Sequence, residues 1–204
     1  MSVFSDKLKI STAIFGLATN FALFLLKLYV GISSNSLSIY CDAINNLGDT
    51  LSCIIAIVGF AAAVKLTQRR SNRLQSLCSF VIGCVVAVAG AYFAYSGVER
   101  MMYPVVVTYS VKYAVLVALT VIVKMIMGIV YTYVNKKEDS PVLKALAIDS
   151  FLDCAITAAA LMGFSLTVKI NFAIDGFVGI VIGIIAAAGA IKTAVQQAKS
   201  LIND

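Results

Sequence analysis

The chain has 204 residues, of which 61% are apolar and only 13% charged, with a strongly positive mean hydropathy. That balance excludes an ordinary soluble domain and indicates a protein embedded in a lipid bilayer. The formal net charge of +6 is not a nucleic-acid signal, because the basic residues gather near the ends of apolar runs.

An apolar helix of about 20 residues crosses the ~30 Å hydrocarbon layer. Unpaired backbone groups are not tolerated there, so the spans are expected to be helices. No ten-residue alternation suggests a β-barrel. Six spans are predicted, at residues 11–31, 36–64, 74–98, 107–134, 141–167 and 171–195. The opening MSVFSDKLKI places lysines ahead of an apolar run, as a signal peptide does. That run is long and lacks a small-residue cleavage site, so it reads as helix 1. Helix 2 contains CDAINNLGD, residues 41–49, an unusual concentration of polar groups for a membrane span. Helix 3 leads into a loop with Glu99, Arg100 and Pro104, where Glu99 and Arg100 read as a solvated pair. Helix 4 carries Lys112 near its end and Lys124 deeper. Helix 5 starts at Pro141, in a first turn where the missing N–H costs nothing, with Ser140 as its N-cap. Helix 6 begins at AIDGF, and Asp175 reads as a structural acid of its first turn.

The expected fold class is therefore all-α: a six-helix transmembrane bundle forming one domain over residues 1–204, with no linker and no C-terminal cytoplasmic domain in the sequence. Lys7, Lys9, Lys65, Arg69, Arg70, Arg73, Lys136, Lys137, Lys144, Lys192 and Lys199 fall on one side, against Arg100 and Lys169 on the other. By the positive-inside bias this predicts a multi-pass protein of the cell membrane with both termini cytoplasmic. The cysteines (Cys41, Cys53, Cys78, Cys84 and Cys154) all lie in predicted spans without a CxxC pair, and read as small packing residues.

Aligning DAINNLGDTLSCIIAIVGF (42–60) with LAIDSFLDCAITAAALMGF (146–164) places Asn45 over Asp149 and Asp49 over Asp153, at a constant offset of 104 residues. With three spans in each half, this is the pattern of an inverted 3+3 pseudo-repeat, an arrangement that brings a transporter's substrate site to the membrane midplane. Residues four apart share one helix face. Asn45 with Asp49 and Asp149 with Asp153 thus form two oxygen-bearing claws, expensive in lipid unless neutralised. A divalent cation is the obvious neutraliser. Pairing with Lys27 or Lys124 is the structural alternative. Asp42, a turn outward, is either a vestibule residue or a partly hydrated carboxylate at a helix end. Asn46 points about 100° away from Asn45 and is expected to bond between helices. Cys53 and Cys154 neighbour the claws and are expected to pack rather than ligate.

The runs SNSLSIYCDAINNLGDTLSCIIAIVGF, SGVERMMYP and YTYVNKKEDSPVLKALAIDSFLD resemble the cation diffusion facilitator family of divalent-metal exporters, over nearly the whole chain. The resemblance implies that Asn45, Asp49, Asp149 and Asp153 hold the transported ion, and that the ion leaves the cytoplasm by alternating access, usually against protons and as a homodimer. The chain departs from the family's pattern in ending at Asp204, without a following cytoplasmic domain, and in having no histidine. Zinc sites favour imidazole or thiolate, whereas carboxylate and carboxamide suit manganese. Members with Asn at the first helix-2 position resemble manganese exporters, so Mn²⁺ is the expected cargo, with Fe²⁺, Zn²⁺ and Co²⁺ as alternatives and no cofactor. Two carboxylates about 5 Å apart repel by ~3 kcal/mol at an effective dielectric near 20. A shared proton relieves that repulsion, and a bound dication expels it. The rival readings are an intramembrane di-aspartate enzyme, whose tyrosine- and glycine-flanked motifs are absent, and a channel subunit with an acidic ring.

Overall fold

The computed structural model describes residues 2–65, 68–138, 141–167 and 174–203. These form α1 (Ser2–Ser34), α2 (Leu37–Lys65), α3 (Gln68–Met102), α4 (Val111–Glu138), α5 (Pro141–Leu166) and α6 (Ile174–Asn203). No strand occurs among the described residues. All six helices contain a stretch long and apolar enough to cross a bilayer, as the composition demands. Within those stretches only 22% to 44% of each window is buried inside the molecule, so most of the apolar surface faces outward, where lipid rather than water must meet it. Ser140 and Lys169, and the side chains of Lys7, Lys65, Arg69 and Arg70, lie outside the described residues.

Several helix boundaries differ from the hydropathy reading: α1 begins at Ser2 rather than at residue 11, α6 runs on to Asn203 rather than 195, and α3 and α4 are shifted at both ends. The helical backbone of α3 begins at Gln68, ahead of the apolar run, because the basic segment that follows needs no burial to stay helical. In contrast, α4 begins only at Val111. The preceding valines are held as a strap over the α1–α2 turn: Thr108 N donates to Ser34 O at 2.8 Å, and Asn35 Nδ2 donates to Val106 O at 3.3 Å.

That turn is built around Asn35, whose φ of 55° places it in the left-handed region that Asn tolerates better than most residues. Its amide donates to Ile32 O at 3.2 Å and that of Ser36 to Gly31 O at 3.0 Å, which closes the C-terminus of α1. Ser36 then caps α2, its Oγ accepting Ile39 N at 3.4 Å.

In packing, α1 pairs with α2, α4 with α5, and α3 with α6; α2 and α5 meet each other and carry the chief contacts to the α3–α6 pair. The α3–α6 seam is made of small residues. A Cβ on Gly90 would lie 2.7 Å from both Gly183 O and Ala187 N, so only glycine permits this approach.

Candidate metal centre

Asn45 and Asp49 lie on α2, and Asp149 and Asp153 lie on α5. The four-residue spacing puts each pair on one face, and the α2–α5 packing turns the two faces together. Asn45 Nδ2 donates to Asp153 Oδ1 at 2.6 Å. One carboxylate oxygen from each of Asp49, Asp149 and Asp153 lies within 4.8 Å of the others. Asp49 and Asp153 are buried, and Asp149 is partly open. All four sequence-predicted residues thus converge.

A fifth residue enters the cluster from α4. Lys124 Nζ donates to Asp49 Oδ2 at 2.7 Å and to Asp153 Oδ2 at 2.5 Å. Its side chain is 1% exposed, so this is a fully desolvated ammonium between two carboxylates. The sequence marks it as a cation deep in α4 and an available partner for the claws, and which acids it meets depends on how α4 packs.

The cluster borders a cavity of about 330 Å³ lined by Asn45, Asp49, Asp149 and Asp153. From there the cavity follows Ser52 and Ile55 of α2, Ser79 of α3 and Thr193 of α6, towards the end where α2 finishes and α3 begins. In the other direction the α2–α5 seam is closed by successive polar layers. Lys27 Nζ lies 2.9 Å from Asp42 Oδ2 and donates to Thr157 Oγ1 at 2.8 Å, while Thr157 Oγ1 donates to Asp42 Oδ1 at 3.2 Å. All three residues are 0% exposed. Asp42 is therefore neither a vestibule residue nor a hydrated helix end: α2 starts five residues earlier, and Lys27 neutralises it within the bundle.

The outermost layer belongs to Asp175. Its carboxylate accepts Ser36 Oγ at 2.6 Å, Leu37 N at 2.6 Å, Ser38 Oγ at 2.5 Å and Ser38 N at 3.3 Å. It thus serves the N-terminus of α2 as well as its own first turn. Arg100 Nη1 lies 3.6 Å from Asp175 Oδ2, and the guanidinium donates to Asn35 O at 2.5 Å and to Asn35 Oδ1 at 3.0 Å. The expected solvated Glu99–Arg100 pair gives way to this clamp, because α3 continues through both residues and aims Arg100 inward.

Two further expectations meet the geometry differently. Asn46 Nδ2 donates to Asp42 O of its own helix at 2.8 Å, so the bond is not between helices. The thiols do pack: Cys53 Sγ accepts Asn20 Nδ2 at 3.7 Å in the α1–α2–α4 core, and Cys154 Sγ donates to Ser150 O at 3.4 Å.

Among known proteins, residues 13–202 match the family described as the cation efflux transmembrane domain. The chain is also similar to an uncharacterized transporter of Methanocaldococcus jannaschii, with 28% identity over 178 residues, which is 85% of this chain. The chain spans 63% of that relative's length. The matched family is one of transporters, which removes the di-aspartate enzyme from consideration. With six helices able to span a bilayer and a family match over nearly its whole length, the chain is a multi-pass membrane protein that belongs to the cation efflux transmembrane-domain family.

Proposed function

We propose that the chain moves a divalent metal cation across the membrane by alternating access, and that Asn45, Asp49, Asp149 and Asp153 hold the ion between α2 and α5. The observation that carries this reading is the convergence of three carboxylate oxygens within 4.8 Å, beside a carboxamide and at the head of a cavity open towards one end of the bundle. An ion bound there exchanges its water for these oxygens.

Manganese is the favoured cargo. The four side chains offer oxygen only, the chain has no histidine, and neither neighbouring thiol belongs to the cluster. Three acids so close repel one another, which supports counter-movement of protons: carboxylates that share protons release them when the dication arrives and recover them when it leaves. The charge bias of the loops supports cytoplasmic termini, and export from the cytoplasm rests on the family resemblance. Assembly as a homodimer rests on the family resemblance alone.

The test is metal uptake into inside-out vesicles with Mn²⁺ and Zn²⁺ in competition. Wild type is expected to take up Mn²⁺ in preference to Zn²⁺, Asp49→Ala to lose uptake, and Asn45→His to shift towards Zn²⁺ as imidazole replaces carboxamide. Equal uptake by all three proteins removes Asn45 and Asp49 from the site.

A further inference from the structure

We infer that Lys124 is a tethered competitor for the transported cation: its ammonium holds two of the carboxylates that the ion must take, so loading displaces it and its return drives release. The inference rests on the metal-site reading above and deepens it.

The geometry sets the two cations in competition. A single nitrogen engages Asp49 Oδ2 at 2.7 Å and Asp153 Oδ2 at 2.5 Å, bridging the α2 and α5 ligands. A hard divalent ion sits about 2.0–2.6 Å from each oxygen it binds. An ion taken up on these carboxylates would stand close to the ammonium, so the two positive charges repel and compete for the same acids.

The contrast with Lys27 separates competition from mere neutralisation. Lys27 also sits fully buried on an aspartate, Asp42, one layer further along the α2–α5 seam. Neither lysine lines the cavity, but the acids that Lys124 holds, Asp49 and Asp153, do line it, whereas Asp42 does not. An ion in the cavity never meets Lys27, so that lysine anchors α1 to α2 and competes with nothing.

Substitutions at Lys124 in opposite directions test this in the purified full-length chain, with Mn²⁺ binding read by calorimetry and Mn²⁺ transport read in proteoliposomes. Lys124→Gln removes the competitor but keeps a polar side chain, and should bind Mn²⁺ about tenfold tighter than wild type while releasing it more slowly per cycle. Lys124→Arg holds two carboxylates with a planar fork and should bind Mn²⁺ more weakly than wild type. The double substitution Lys27→Met with Asp42→Asn should leave Mn²⁺ affinity at the wild-type value. An anchoring role alone would lower folded yield or thermal stability in both Lys124 variants and leave affinity unmoved; that outcome, or weaker binding by folded Lys124→Gln, overturns the inference. Should Lys124→Gln fail to fold, Lys124→Arg decides, since wild-type affinity in that variant is equally fatal. Wild-type protein that binds no Mn²⁺ overturns the site reading itself. Wild-type binding with both Lys124 variants unchanged overturns only the role of the lysine.

Discussion

Asp153 and Asp175 are both buried aspartates, yet their partners differ in kind. Asp153 is held by side chains alone, an amine and a carboxamide, beside a cavity, whereas Asp175 is held by two backbone amides and two hydroxyls that fix the start of α2. Asp175→Asn should therefore lower stability by about 2 kcal/mol, the scale of hydrogen bonds to a charged group. Thermal unfolding in detergent would show this, with Mn²⁺ affinity unchanged. What the sequence made legible at this scale was what lies within one helix: the pairs Asn45–Asp49 and Asp149–Asp153 follow from helical spacing alone. The reach of Lys124 to Asp49, 75 residues away, and of Lys27 to Thr157, 130 residues away, depends on packing between helices, which no local spacing encodes.

The glycines of α3 and α6 are best judged helix against helix. At Gly90 an added side chain meets the backbone of α6, which cannot yield, so Gly90→Leu should cost about 3 kcal/mol, at the upper part of the overpacking range. Gly189 lies on the same helix as Gly183, but a Cβ there meets nothing within 4 Å and points along the cavity wall. Gly189→Leu should leave unfolding unchanged within about 0.5 kcal/mol and slow Mn²⁺ transport by narrowing the approach to the acids. The pair of variants thus separates seam from passage in one unfolding and one transport assay. Hydropathy located all six helices but misjudged several of their ends, among them the starts of α1, α3 and α4 and the end of α6. It registers greasiness, and neither a polar helical lead-in nor an apolar strap tied to Ser34 and Asn35 differs from its neighbours in that respect.

Across the whole molecule, access to the acid cluster is one-sided. The cavity runs towards the ends of α2 and α6, while Lys27–Asp42–Thr157 and then Asp175–Arg100 fill the seam in the other direction. In a background without native cysteines, Ser52→Cys should react with a membrane-impermeant maleimide applied from the side of the termini, and Ser38→Cys, fully buried beside Asp175, should not. Labelling of Ser38→Cys alone would reverse the assignment of the open side.

The chief attachments of the α3–α6 pair to the rest of the bundle run through α2 and α5, the same two helices that bear the proposed ion ligands. The proposed coordination sphere and the mechanical joint are therefore one object. Any swing of that pair must tug on the distances among Asp49, Asp149 and Asp153, and any tightening of those distances must pull on the pair in return.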